Sequence, residues 1–390
     1  MIISIALALI ASVGPAPNSV MLVHKLDLTG SGSTRGWSAS AYAVNPDTQT
    51  VAVQGRFVRS AVSRPPEASE PPREEVALLD LRDGHTIASR PLSCLFQPQL
   101  AISRDGRTVV ILRTVDERMN SPYEISVWKP YSDPDDLKDY SLAAGSRQDG
   151  QGTLGRFGSF AGSPPVVSPD GTQVAFFGRE LADKDGSNDE LYDNAIGVLD
   201  LETGKVIVMP VPVKTPAGPW QYWHLGWSSD GSSLYAVLHG TWSDNRRGAL
   251  IQGKPAPLAR RPDLTLYRFS LATKAATRVG LVPPTTCGFG PDDDLVVADT
   301  VREGWGPHRA YALLPISRVE EGQVASGAAG LTFVAGLTMH TVVSQDDATF
   351  ASFRRVFVGR THTYVEVNEK GTNGCTALVE RLSGPGPQKE

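Results

Sequence analysis

The sequence predicts an all-β protein, a β-propeller of about six four-stranded blades, on three observations. A tight turn followed at once by an apolar strand recurs at near-constant intervals. A second element, a strand ending in a polar hairpin, recurs in phase with it. A strand at the N-terminus copies that second element without a turn of its own, which leaves it available to complete the last blade and close the ring.

The turn is clearest at Ser168-Pro169-Asp170-Gly171, which runs into Val174-Ala175-Phe176-Phe177. Pro169 fixes φ for the first central position of a turn, Asp170 can hydrogen-bond backbone two residues on, and Gly171 tolerates positive φ. The β-branched and aromatic run that follows reads as a strand buried on both faces. Copies of the turn stand at Asn45-Pro46-Asp47, Ser103-Arg104-Asp105-Gly106, Ser228-Ser229-Asp230-Gly231, Gly290-Pro291-Asp292-Asp293 and Ser344-Gln345-Asp346-Asp347. With Asp47, Asp105, Asp170, Asp230, Asp292 and Asp346 as markers, the intervals are 58, 65, 60, 62 and 54 residues. The strands expected after them are Thr50 to Val53, Thr108 to Leu112, Val174 to Phe177, Ser233 to Leu238, Leu295 to Ala298 and Thr349 to Phe353.

The second element appears at Val76 to Gly84, Glu124 to Trp128, Ala195 to Gly204, Leu264 to Leu271 and Arg309 to Leu314. A unit of about four strands cannot bury its faces alone and must stack on its neighbours. Val20 to Gly30 and Cys375 to Leu382 are further copies at the two ends of the chain, and pairing them would remove the exposed sheet edges that invite aggregation. Were residues 1–36 most of a separate blade, the count would be seven; six is the reading taken here.

Ser168-Pro169-Asp170-Gly171 followed by a Val-Ala-Phe strand, and then the hairpin Leu199-Asp200-Leu201-Glu202-Thr203-Gly204, resembles the WD-repeat-like blades of TolB-type propellers. The resemblance spans residues 37 to 382, with the third unit matching best, and it implies a fold rather than an activity. Members of that family range from periplasmic scaffold proteins to accessory domains of peptidases. The second, fifth and sixth turns depart from the pattern by losing Pro or Gly.

In domain terms, residues 1–19 read as a signal peptide, 20–384 as a single propeller domain and 385–390 as a tail. Ile2 to Val13 is an apolar run too short to span a bilayer as a helix, and Gly14 to Ser19 looks like a cleavage region, although no Lys or Arg precedes the run. The competing reading makes Ile3 to Ala11 a strand of the fold. Export to a secreted or periplasmic location follows from the first reading and a cytoplasmic location from the second. No other segment has the length to cross a bilayer.

Apolar residues make up 41% of the chain and charged residues 20%, ample for a core. With 37 basic against 42 acidic residues the formal charge is −5, which recommends no nucleic-acid partner, since that affinity rests on neutralising phosphates. Cys94, Cys287 and Cys375 lie far apart with no metal-ligand spacing, and their disulfide state stays open. Seven scattered histidines, no His-Glu-x-x-His and no Gly-x-Ser-x-Gly elbow leave catalysis without a local motif.

Two stretches carry site candidates. Asp183, Asp185, Asn188 and Asp189 offer the hard oxygen ligands of a calcium site, although Gly186 comes too early for an EF-hand, and a solvated acidic loop is the plainer account. Trp220, Tyr222, Trp223 and His224, with Trp242 one strand away, offer the rigid anchors of a ligand-binding surface; aromatics packed between blades are the plainer account. Residues 54–75, 114–123, 130–163, 179–194 and 240–263 read as loops gathered on one rim of the disk. The functional expectation is therefore a non-catalytic binding or scaffold propeller, monomeric, that recognises a protein or other ligand through that rim. A hydrolase or lyase with its site in the central channel is the alternative.

Overall fold

The computed structural model describes residues 20–28, 35–59, 74–92, 98–114, 123–141, 145–146, 153–154, 156–158, 164–181, 193–212, 224–239, 264–283, 286–298, 309–320, 337–338, 340–343, 350–369 and 376–383. The N-terminal apolar run, Asp346 and the tail lie outside these residues. Among them the strands form six antiparallel sheets that are the blades of a propeller, and a separate two-stranded ladder of Gly145–Ser146 with Thr153–Leu154.

From the axis outward, blade 1 is Arg35–Asn45, Thr50–Arg59, Glu75–Asp80 and Thr86–Pro91, and blade 2 is Gln99–Ile102, Val109–Thr114, Tyr123–Lys129 and Asp133–Ser141. Blade 3 has its inner edge split between Arg156–Gly158 and Val166–Val167, both paired with Gln173–Leu181, followed by Asp193–Asp200 and Val206–Pro210. Blade 4 is His224–Trp227, Ser233–His239, Leu264–Ser270 and Ala276–Val282; blade 5 is Thr286–Phe289, Asp294–Ala298, Arg309–Pro315 and His340–Val343. In blade 6, Phe350–Val358, Thr363–Glu369 and Thr376–Ser383 are joined on the outside by the N-terminal strand Val20–Asp27.

That last pairing closes the ring as the sequence predicts. Val20 stands opposite Ser383 and Asp27 opposite Ala377, with one bulge between His24 and Leu26. In blades 1 to 4 the recurring second element is the third strand with its turn to the fourth; in blades 5 and 6 it supplies the third strand alone, and the N-terminal copy is the fourth strand of blade 6.

The core consists of six radial wedges, each shared by two consecutive blades. Ala52, Val76 and Leu78 of blade 1 meet Ile111 and Trp128 of blade 2, and the same arrangement repeats around the disk. Val51, Val53 and Leu79 of blade 1 pack against Tyr364 and Leu378 of blade 6, so the last wedge joins the two ends of the chain. Val174, Ala175 and Phe176 are fully buried and alternate between the wedges on either side of blade 3, which is why the strand reads as continuously apolar.

Three expectations need correction. The inner turn of blade 6 is Gly359 to His362, closed by Gly359 N donating to His362 O at 2.9 Å, and the strand before it is Phe350–Val358. Ser344 to Asp347, read as that turn, precedes the blade's inner strand; its acidic residues mimic the repeat in composition alone. Residues 54–59 continue a strand, and 133–141, read as loop, form the outer strand of blade 2, where charged side chains face solvent on an exposed edge. A short helix, Ile316–Glu320, also stands beside blade 5 and tucks Ile316 and Val319 into the wedge shared with blade 4. Gly280 admits it, since a Cβ there would meet Val319 at 2.9 Å.

Candidate functional site

Strands alternate in direction within a blade. The first-to-second and third-to-fourth turns therefore share one face of the disk, the turn face, while the second-to-third connections and the crossings between blades share the other, the loop face. The strand ends flanking residues 60–74, 115–122, 182–192, 240–263 and 299–308 all lie on the loop face. Asp183, Asp185, Asn188, Asp189, Trp220, Tyr222, Trp223 and Trp242, with Cys94 and Cys375, fall outside the described residues.

Of the aromatic stretch the structure describes the end. His224 is half-buried and begins the inner strand of blade 4, opposite Val237. Trp227, three residues on, packs in the wedge between blades 3 and 4 and donates its indole N–H to Val166 O at 3.1 Å. The innermost strands also carry Gln99, Cys287 and Arg355. The Cys287 thiol donates to Val296 O at 3.5 Å. Arg355 lies 3.5 Å from the buried Glu366 and stacks over Tyr42 with its guanidinium 5.8 Å from the ring centre.

The turn face is built differently. In blades 2, 3 and 4 the inner turn is a Ser-x-Asp-Gly unit in which the serine does as much as the aspartate. Ser168 Oγ donates to Asp170 Oδ1 at 2.6 Å and accepts Gln173 N at 2.9 Å, while Asp170 Oδ1 accepts Thr172 N at 3.1 Å. Ser103 and Ser228 repeat these bonds with Asp105 and Asp230. Gly106, Gly171 and Gly231 each take a φ between 73° and 75°, which only glycine adopts freely.

These bonds hold the turn aspartates ionised. The Ser228 hydroxyl and the backbone N–H and hydroxyl of Ser232 lower Asp230 to about 2, against 3.8 for the free side chain. A carboxyl depressed in the folded state contributes stability above its unfolded pKa, and that contribution is lost as pH falls through the folded value. We therefore expect the melting temperature to fall between pH 4 and pH 2, with a shallower slope in Ser228→Ala. Equal slopes in the two proteins would show that the turn aspartates do not drive acid unfolding.

The turns that depart from the pattern fasten the blades to one another. Asn45 replaces serine in blade 1; its Oδ1 accepts Asp47 N at 3.0 Å while its Nδ2 donates to Ser103 O and Arg104 O of blade 2 at 2.7 and 3.0 Å. Gln49, with φ at 53°, reaches His362 Nδ1 at 3.3 Å and donates to the Tyr364 hydroxyl at 3.1 Å, both in blade 6. Asp293, with φ at 56°, accepts both the backbone N–H and the hydroxyl of Ser229 in blade 4 at 2.7 Å each. Positive φ is uncommon at a non-glycine residue; Gln49 and Asp293 adopt it where two blades meet, whereas Lys274, with φ at 55°, adopts it in the outer turn of blade 4.

At the axis two departures converge. Arg360 of blade 6 donates its backbone N–H to Asp47 of blade 1 at 2.6 Å, and its Nη2 and Nε to Asp292 Oδ1 of blade 5 at 2.6 and 3.2 Å. Arg360 holds the Asp292 carboxyl below the usual range. Arg104 of blade 2 approaches the same oxygen at 3.7 Å. Blades 2 and 5 stand opposite one another in a ring of six, so this ion pair crosses the mouth of the channel. Arg104 belongs to the second turn, whose loss of proline the sequence shows, while Arg360 lies in a turn that the sequence reading did not identify.

One further group merits description. Asp80, Asp83 and His85, in the outer turn of blade 1, bring their ligand atoms within 4.8 Å of one another. All three are already engaged: Asp80 with Arg82, and Asp83 Oδ1 with His85 Nδ1 at 2.6 Å and His85 N at 3.0 Å. The cluster reads as turn chemistry. Among the described residues no helix is long and apolar enough to cross a membrane.

Fold and site together define a six-bladed β-propeller with ion pairs across one mouth of its channel. No family model matches the chain, and no curated protein does. Among solved structures it is similar to the β-propeller domain of the Trilobed protease from Pyrococcus furiosus, at 12% identity over 87% of this chain and 81% of that one, with a TM-score of 0.43. An oligogalacturonate lyase in complex with manganese is similar at 12% identity, 94% and 91% coverage and a TM-score of 0.42. The acylaminoacyl peptidase of Pyrococcus horikoshii is similar at 11% identity with a TM-score of 0.43; 93% of this chain is covered, and the chain spans 46% of the peptidase's length. Similarities at this level say nothing about substrate or partner.

Proposed function

We propose that this protein is an exported, monomeric binding or scaffold propeller that captures a protein partner through its loop face. The observation that carries the reading is the asymmetry of the disk. On the turn face the inner connections are short turns cross-linked by Asn45, Asp293 and Arg360, with Arg104 and Asp292 across the channel mouth. The longer connections between second and third strands all leave from the opposite face. A rigid strand array carrying variable loops on one side is a means of presenting a recognition surface.

The test exchanges residues 60–73 and 241–262 for short Gly/Ser linkers, changes that a propeller should survive because they leave the wedges intact. Capture of the partner by the full-length chain, followed by mass spectrometry, should be lost in the loop-exchanged protein. It should persist in a protein altered at exposed turn-face residues such as Lys274 and Glu202. The opposite pattern, or an enzymatic turnover that survives loop exchange, would overturn the reading.

A further inference from the structure

The seams between blades differ at their loop-face ends. Seven residues past the turn aspartates Asp105, Asp170 and Asp230, blades 2, 3 and 4 place Leu112, Phe177 and Val237 in the wedge shared with the next blade. Blade 1 has Gln54 at that position, fully buried, on the same strand face as Ala52 and so toward blade 2. Gln54 Nε2 donates to Glu74 Oε2 at 3.4 Å, while Gln54 Oε1, among the described residues, accepts nothing. Turning the amide over would set its oxygen against Glu74 and leave a donor unanswered instead. In the same row, beyond Val76, the half-buried Arg90 has its Nε buried and without an acceptor. On the facing wall, Arg113 and Ser126 bond within blade 2: Arg113 Nη2 donates to Glu124 Oε1 at 2.9 Å and Ser126 Oγ to Asp139 Oδ1 at 2.6 Å. The other end of this seam is fastened. Asn45 donates to two carbonyls of blade 2 at the turn face, and a Cβ added to Gly106 would meet Thr48 Oγ1 at 2.8 Å.

We infer that the seam between blades 1 and 2 is a gate, which opens from the loop face about its turn-face clamp while the ring stays folded. Opening the seams after blades 2, 3 or 4 from that side takes an apolar side chain out of its wedge and loses its burial. Opening this one admits water to a polar atom that is costly to keep buried without a partner, so the closed state gains less. Ala41 and Ala43 of the inner strand and Ala52 behind Gln54 are small, and they leave little apolar surface to separate near that end. The gate gives solvent and small solutes a way from the loop face into the wedge, and it needs no partner on that face.

Thiol labelling of the folded full chain tests the gate. Ala52→Cys and Ala175→Cys alter matching, fully buried positions of blades 1 and 3, each facing the next blade. Labelling is read at each site by peptide mass mapping, below the unfolding transition. It should be at least about ten-fold faster at the blade 1 site, and nearly independent of urea, as local opening that exposes little surface is. Gln54→Leu, which gives this seam the apolar side chain of the others, should slow the blade 1 site about ten-fold or more and leave the blade 3 site unchanged. Should Gln54→Leu fail to fold, Leu112→Gln moves the polar group to the seam between blades 2 and 3, where labelling of Val110→Cys should quicken. Equal labelling at the two alanine sites, a urea dependence in blade 1 matching global unfolding, equal slowing of both sites by Gln54→Leu, or no quickening by Leu112→Gln would each overturn the gate. None of these readouts depends on capture of a partner.

Discussion

Removing residues 20–28 is expected to abolish cooperative folding, while a chain beginning at Val20 melts normally. The N-terminal strand is the outer strand of blade 6 and pairs along the whole of Thr376–Ser383. It covers Ala377, Leu378 and Val379, all fully buried, and carries its own chain into the core at Leu28. Without it that backbone edge and those side chains meet water, and an unpaired apolar edge is a template for aggregation. A polar lock reinforces the seam. Lys25 Nζ lies 2.9 Å from Glu380 Oε2, and His362 Nδ1 lies 2.9 Å from Glu380 Oε1. Burial alone would raise the Glu380 carboxyl, yet the bonds from Lys25 and His362 outweigh it and hold the group below its ordinary value.

A single change, Glu380→Ala, should therefore cost about 3 kcal/mol, the lower end of the range for breaking a buried ion pair, because Lys25 keeps some contact with water. Light scattering during a thermal melt, with size-exclusion chromatography beforehand, separates the cases. A soluble, monomeric protein lacking residues 20–28 with an unchanged melt would show that the ring does not depend on this strand.

The second large effect is expected in blade 3. Phe176 and Gly197 stand directly opposite each other on adjacent strands, and the far end of the ring fills the space above the glycine; a Cβ at Gly197 would meet it at 2.3 Å. Blades 4 and 5 use the same device, with Phe289 over Gly226. Phe176→Ala empties a fully buried site and should cost about 3–5 kcal/mol. Gly197→Ala forces the ring aside and should cost about 1–3 kcal/mol. The two together should fall short of the sum by at least about 1 kcal/mol, because the added methyl occupies space the ring has left. Urea unfolding of the four proteins measures this, and strict additivity would show that ring and glycine are not coupled.

These effects lie at unequal depths in the sequence. Phe176 could be read as core because its strand is apolar throughout, whereas Gly197 sits in Ala195 to Gly204 with no local sign of its partner. Similarly, the Ser168 turn could be read through its proline, aspartate and glycine, but the role of serine as the hub of the turn emerged only from its bonds to Asp170 and Gln173. Asp346 shows the limit of the approach, since an acidic pair of the right composition drew the sixth marker away from Gly359 to His362.

What the sequence by itself determined is the periodic part of the molecule: strands, inner turns, the blade as a unit and the N-terminal strand as its closing piece. Each of these follows from φ preferences and side-chain alternation within a few residues of chain. Only the tertiary structure decided which departures from the repeat matter. Arg360 and Asp47 are 313 positions apart and meet at 2.6 Å, and Arg104 faces Asp292 across the axis. Those contacts exist because closing six wedges into a ring brings every inner turn to one point, a proximity that depends on the whole circumference and leaves no trace in any local stretch.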